Sequence, residues 1–174
     1  MAAVSSIVSA VATTVDDVAS ILEGIQRIAG VLNTPRSVVL VVENYTKRKL
    51  TRIWHHHVHG GFAVTPSTII DPKGVNIYGS QNKAMSIGTG TEGAVMYQLE
   101  GDEKLGFYMY WKNAFIKTKG NQCGAFMCTV LSTDVPAGVP PLFLPYLDDA
   151  FKMVSTCGVG NQAAEMRFEL MRDE

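Results

Sequence analysis

Between Thr89 and Trp111 the chain reads TGTEGAVMYQLEGDEKLGFYMYW, and this stretch narrows the possible folds more than any other. Ala94, Met96 and Gln98 alternate with Val95, Tyr97 and Leu99; after Glu100-Gly101-Asp102-Glu103 comes a second run, Leu105 to Trp111, rich in aromatics. Successive side chains of a strand point to opposite faces, so period-two apolar runs about a short Gly/Asp turn predict a β-hairpin. The second run is apolar at nearly every position, which predicts a strand covered on both faces near the middle of a sheet stack.

The flanking segments carry the same kind of signal. Val38 to Val42 and Leu50 to His59 read as strands about a turn at Tyr45 to Lys49, and Phe62 to Ile70, with Pro66, as an edge strand or loop. Val75 to Gly79, after the Asp71-Pro72-Lys73-Gly74 turn, and Gln122 to Leu131 add two more strands. Trp111 to Gly120 reads as a loop, Asp134 to Pro145 as a proline-rich surface crossing, and Tyr146 to Lys152 as one or two helical turns. Lys152 to Thr156 and Ala164 to Met171 end the chain as a hairpin. Ala164, Met166, Phe168 and Leu170 are expected inside and Glu165, Arg167 and Glu169 in water. Some eight to ten short strands separated by Gly, Pro and Asn turns predict a mainly β chain folded as a β-sandwich. Its 174 residues, 47% of them hydrophobic, suit a single domain over 1–174 with one real core.

Ahead of the strands the period changes. From Val4 to Leu32, apolar residues fall at Ile7, Val11, Val15, Val18, Leu22, Ile25, Ala29 and Leu32, with Ser9, Asp16, Ser20, Glu23 and Arg27 on the other side. This spacing predicts an amphipathic helix closed by Asn33-Thr34-Pro35, so that 1–34 is a helical region and 36–174 the sandwich. Gly24 and Gly30 weaken it by about 1 kcal/mol each. Such a helix is about 40 Å long against a bilayer core of about 30 Å, and its apolar face suits either a sheet or lipid.

Net charge is −1 and the pI near 6.4, which gives the whole molecule no electrostatic bias toward nucleic acid. No apolar run reaches the roughly 20 residues of a spanning helix. The N-terminal stretch has no basic n-region, and Asp16 and Asp17 interrupt any apolar core, so no signal peptide is expected in it. A P-loop, GxSxG and CxxC are all missing, and the neighbouring Asp148 and Asp149 would diverge on a helix, so no enzyme and no cofactor are expected. Cys123, Cys128 and Cys157 read as buried thiols rather than a disulfide framework. His55, His57 and His59 share one face of a strand; they read as an exposed strand end, a pH-sensitive patch or a metal site, and no metal is assigned. Asn44-Tyr45-Thr46 is a glycosylation sequon, and Lys47, Arg48, Lys49 and Arg52 form a basic turn.

Taken in order, these elements resemble the actinoporins, the pore-forming cytolysins of sea anemones and their relatives. The resemblance lies in an acidic amphipathic helix, the Val-rich strand into the Asn44 turn, Tyr78-Gly79-Ser80, Thr89-Gly90-Thr91-Glu92-Gly93-Ala94-Val95-Met96-Tyr97, Leu105-Gly106-Phe107 and the last hairpin, Lys152-Met153 through Glu165-Met166-Arg167. It implies a β-sandwich flanked by two helices, one of them N-terminal. It also implies an aromatic and basic surface that docks on phosphocholine lipids, preferably sphingomyelin, and a first helix that detaches and lines an oligomeric pore. Where that family has a serine and a proline after the central strand, this chain has Tyr110 and Lys112, and a lysine-rich tail stands in place of tryptophans.

The expected function is thus a pore-forming membrane binder, monomeric in solution and oligomeric in membrane, secreted and associated with a target membrane, or cytoplasmic if no leader exists. Ile7, Val11, Val15, Val18, Leu22 and Ile25 would form the inserting face. Trp54, Tyr110, Trp111, Lys112, Phe115 and Lys117 would contact a phosphocholine or anionic headgroup. The alternative is a non-lytic lectin-like or lipid-headgroup-binding module on the same sandwich.

Overall fold

The computed structural model describes residues 8–86, 88–116, 120–146 and 149–172. In chain order it has β1 (Val11–Thr14), α1 (Val18–Val31), β2 (Ser37–Asn44), β3 (Leu50–His59), β4 (Gly61–Val64), β5 (Ile69–Ile70) and β6 (Gly74–Gln81). Then come β7 (Thr91–Leu99), β8 (Asp102–Asn113), β9 (Gln122–Ser132), β10 (Leu142–Pro145), β11 (Phe151–Cys157) and β12 (Ala164–Arg172). One sheet runs β1-β6-β2-β12-β11, with β4 also on β6; the other runs β10-β9-β8-β7-β3-β5. The two face each other as the expected β-sandwich.

Both expected hairpins are present, β7 with β8 and β11 with β12, while β12 pairs in parallel with β2. The edge stretch with Pro66 divides, since β4 joins one sheet and β5 the other, so the chain changes layer there. Leu40, Tyr78, Met166 and Phe168 from the first sheet meet Tyr97, Phe107, Met109 and Trp111 from the second, all fully buried. Each such side chain contributes about 1.5–3 kcal/mol on leaving water. Tyr78 and Tyr97 also join their hydroxyls across the layers at 3.2 Å.

The first sheet is covered on its outer side as well, because α1 packs there. Every residue of β2 is buried for that reason. A Cβ on Gly24 would stand 2.7 Å from Ile77 Cδ1, and one on Gly79 would stand 2.9 Å from Leu32 Cδ2. These glycines let helix and sheet approach closely, which sets the buried face of α1 at Ile21, Gly24 and Ile28.

The helix differs from expectation in three ways. It begins at Val18 rather than Val4: Asp17 caps it, accepting from Ser20 N at 3.0 Å and from Ser20 Oγ at 2.7 Å, and those bonds lower the Asp17 carboxyl below its ordinary value. Val11 lies in β1, paired with Ile77, and Val15 follows it with its N–H donating to Lys73 O. The β-branched Val11, Thr13, Thr14 and Val15 suit a strand better than a helix, and the open edge of β6 supplies the partner groups. The helix also rests on a different face, leaving Val18 64% and Leu22 53% exposed and Ile25 partly buried. Finally, its 14 residues span about 21 Å. Among the described residues no helix is long and apolar enough to cross a membrane. Ile7 lies outside the described residues.

Among those residues α1 is also the one helix; of the second, expected over Tyr146 to Lys152, residues 147 and 148 lie outside the described residues, Asp149 and Ala150 form a turn, and Phe151 and Lys152 belong to β11. The Asn44 amide is engaged in the turn it begins. It is fully buried, and its Nδ2 donates to Arg48 O and Asp71 O, so the sequon offers no free acceptor in the folded protein.

Two polar groupings join the sheets. Asn113, at the end of β8, donates from Nδ2 to Ser37 O (3.1 Å) and Asn161 O (2.8 Å). Deeper inside, Trp111 Nε1 donates to Thr91 Oγ1 at 3.2 Å, Thr91 meets Ser80 Oγ at 2.6 Å, and Ser80 donates to Gly61 O at 3.1 Å. His57 Nε2 lies 2.8 Å from the same Ser80 oxygen, and its ring packs edge-on against Phe62 and Trp111. With Ser80 donating to Gly61, the neutral His57 is the Nε2–H tautomer. Burial of the ring, and then the positive charges of His55, His56 and Lys83, lower its pKa from 6.5 to about 4.

Asn113→Ala leaves two carbonyls without their donor, and unfolding in urea should show a loss of about 1–3 kcal/mol. His57 binds its proton more readily in the unfolded chain than in the folded one, so its contribution to stability is complete above pH 6.5 and is lost as the pH falls toward 4. Urea midpoints measured between pH 7 and pH 4 should therefore fall less in His57→Asn than in the parent; parallel curves would refute the assignment.

Candidate functional site

The pleat of β8 divides its residues. Phe107, Met109 and Trp111 face the core, while Tyr108, Tyr110 and Lys112 face outward. The strand was expected to be covered on both faces. Its outer face is instead only partly covered, and Tyr110 is 40% exposed.

The register extends this outer face across the sheet. Trp54, Met96, Tyr108 and Phe126 are directly opposite one another on β3, β7, β8 and β9, and so are His56, Ala94, Tyr110 and Gly124. In the third row Glu92 lies opposite Lys112 and Lys112 opposite Gln122. Large rings fill the first row and its neighbour: Trp54 and Tyr108 stack at 6.1 Å, Tyr108 and Phe126 at 4.8 Å, and Phe143 of β10 lies 5.7 Å from Tyr108. They cover Met96, Cys128 and Val130 and make a second, smaller apolar cluster outside the sandwich. Burial raises the Tyr108 phenol above its ordinary pKa.

Small residues in the second row leave space between the rings. A hollow of about 240 Å³ opens there, walled by Trp54, His56, Tyr108, Tyr110 and Glu92 over Gly93 and Ala94. Gly124 lets the Tyr110 ring lie flat across β9, since a Cβ there would stand 2.6 Å from Tyr110 Cε1. Trp54 Nε1 is buried and has no hydrogen-bond partner among the described residues.

A second hollow of about 140 Å³ adjoins the first at Glu92, between Gly88–Thr91 and Lys112–Ile116. Lys112 Nζ and Glu92 Oε2 are 3.2 Å apart between the two. Phe115 (41% exposed) and Ile116 (78%) project beside this hollow. Arg36 holds that segment by donating to Ala114 O at 3.1 Å and Phe115 O at 3.0 Å, with its guanidinium 4.9 Å over the Phe115 ring.

Four of the six residues expected at a headgroup surface therefore come together: Trp54, Tyr110, Lys112 and Phe115. Trp111 does not, because it points inward, is fully buried, and reaches the hollow only through its ring edge beneath Gly93. Lys117 lies outside the described residues. Sequence reasoning missed Tyr108 and His56, which period two carries from Tyr110 and Trp54, and it missed Phe126 and Phe143, which only the register of β9 and β10 brings beside them. Of the histidines, His55 and His57 turn toward Phe62, while His56 stacks on Trp54 on the outer side. Among the described residues no group of three or more His, Cys, Asp or Glu is placed to hold a metal ion.

No protein-family model and no curated protein matches the chain. Solved structures do share its fold. The lipid binding protein Nakanori superposes with a TM-score of 0.72 at 14% identity, over 87% of this chain and 78% of that one. The RahU protein, crystallised with a Tris molecule, gives 0.55 at 11% identity, over 82% and 98% of the two chains. IP-1A from Alcaligenes faecalis gives 0.50 at 12%, over 84% and 97%. At these identities the likeness is one of fold.

Proposed function

We propose that this protein is a binding module, not an enzyme, and that the outer face of its second sheet recognises zwitterionic lipid headgroups of the phosphocholine type. The observation that carries this reading is the pair of adjoining hollows with Glu92 and Lys112 between them. A quaternary ammonium fits the aromatic hollow, where Trp54, Tyr108 and Tyr110 offer ring faces and Glu92 a negative charge. The phosphate of the same headgroup then falls toward Lys112 in the neighbouring hollow. A balanced ion pair matches a zwitterion better than a net anion, and the chain's net charge of −1 gives no pull toward anionic membranes. Phe115 and Ile116 project beside the site, where side chains of this kind settle at interfacial depth. That the fold also serves a lipid binding protein supports the reading.

A second reading, pore formation, is favoured by one observation: α1 leaves Val18 and Leu22 exposed, and the only strand between it and Ile7 in sequence is the four-residue edge strand β1. Were β1 to leave β6 and join α1, the stretch from Val4 to Leu32 would carry Ile7, Val11, Val15, Val18, Leu22 and Ile25 on one face over about 40 Å. Lipid would take that face. Asp16 and Glu23 would line a water-filled oligomeric pore and favour cations.

Sedimentation with vesicles of phosphatidylcholine, alone or with sphingomyelin, phosphatidylethanolamine or phosphatidylserine, tests the first reading. Binding should follow the choline lipids, and Tyr110→Ala should weaken it roughly three- to thirty-fold with the fold intact. Binding that tracks phosphatidylserine instead, or that ignores the Tyr110 change, would reject the site. Dye release from the same vesicles tests the second reading, in which Val15→Asp abolishes release and leaves sedimentation unchanged. Sedimentation without release in the parent protein identifies a non-lytic headgroup binder.

A further inference from the structure

Cys123 lies in β9 opposite Trp111, and Cys157 ends β11 opposite Met166. Trp111 and Met166 both point into the core, so the register turns the two cysteines toward the space between the sheets, one from each layer. There β9 and β11 pack against each other from the two layers, and Cys157 is a neighbour of the Cys123 thiol. Both cysteines remain partly accessible. Cys128, by contrast, is fully buried on the opposite face of β9 and directs its thiol at Gly106 O.

The backbone on either side of the pair is held by bonds that do not involve sulfur. Asn121 donates from Nδ2 to Gly158 O at 2.9 Å and to Gly160 O at 3.0 Å, and Gly158 N donates to Glu165 O at 2.8 Å. The segments that carry the two sulfurs are thus tied to each other before any covalent bond forms, which limits the strain that a bridge would store.

We propose that Cys123 and Cys157 are a redox-modification site, at which a low-molecular-weight disulfide of the glutathione class converts the two thiols into a disulfide joining one sheet to the other. One cysteine thiolate attacks a sulfur of oxidised glutathione and expels a glutathione thiolate, leaving a mixed disulfide. The other cysteine thiolate attacks the protein sulfur of that mixed disulfide and expels the second glutathione thiolate. The protons given up by the two cysteines go to the two departing thiolates, so the cysteine pair is oxidised as one glutathione disulfide is reduced to two thiols. Burial, then the neighbouring Cys157, push the Cys123 thiol up to about 12, so the exchange is slow near neutrality and faster as the pH rises.

The bridge closes the long loop from Cys123 to Cys157 and limits the unfolded chain, which raises the Tm. The test equilibrates the full chain with reduced and oxidised glutathione, quenches with acid, and alkylates the thiols that remain. One free thiol should be left, at Cys128, with the mass lower by two hydrogens and a proteolytic fragment linking Cys123 to Cys157. The Tm should rise by about 5–10 °C and fall back with dithiothreitol. Cys128→Ser should reproduce the bridge, and Cys157→Ser should stop at a glutathione adduct without the gain in Tm. Three free thiols after equilibration, a bridge to Cys128, a lasting glutathione adduct in the parent protein, or a bridge that does not raise the Tm would each overturn the proposal.

Discussion

The pleat of β8 is the constraint on which the rest of the molecule depends. Its period of two commits Phe107, Met109 and Trp111 to the interior, where they meet Leu40, Tyr78 and Phe168 of the other sheet. The same period sends Tyr108, Tyr110 and Lys112 to the far side. Shifting the pairing by one residue would exchange the two sets, placing a lysine in the core and an indole in water. One register therefore fixes both the stability of the sandwich and the composition of its outer surface. Trp111 serves as the link, since its indole N–H holds the polar chain to Thr91 and Ser80 while its ring edge underlies the hollow at Gly93.

The outer surface combines tight packing with loosely held charge. Trp54, Tyr108, Phe126 and Phe143 are braced by Met96, Cys128 and Val130 beneath them, so the aromatic walls stand in place before any ligand arrives. The Glu92 and Lys112 side chains are each about a third exposed, at 31% and 40%, and an ion pair so placed contributes about 0–1 kcal/mol to folding. Under the proposed reading, a headgroup that supplies its own cation and anion can separate that pair at little cost. Rigid rings and exchangeable charges are what a recognition surface needs, because the ordering has been completed during folding.

The first sheet is built on another balance. Its outer face is closed by α1 over Gly24 and Gly79, which permits a close and specific fit, yet the chain before the helix is held by a strand of only four residues at the sheet edge. An edge strand is bonded on one side alone, and the helix behind it leaves Val18 and Leu22 in water. A close-packed attachment and a one-sided one are thus neighbours in sequence.

By itself the sequence determined that this chain is a β-sandwich with an amphipathic N-terminal segment, because period two and period 3.6 are local properties of the residue order. The alternation from Ala94 to Leu99, the Glu100-Gly101 turn and the last hairpin were legible for that reason, and so were Trp54, Tyr110, Lys112 and Phe115 as surface candidates. Tertiary structure decided what local order leaves open. The apolar spacing from Val4 continues through Val11 and Val15, but the unpaired edge of β6 draws those β-branched residues into a strand, and Asp17 starts the helix afterwards. The close approach at Gly24 then selects Ile21 and Ile28 over Val18 and Leu22 as the buried face. Lateral register, which no single strand encodes, set Phe126 and Phe143 beside Tyr108, and the packing of one sheet on the other brought β9, with Cys123, against β11, with Cys157. Those relations arise from pairing between distant segments, and distance along the chain hides them until the sheets close.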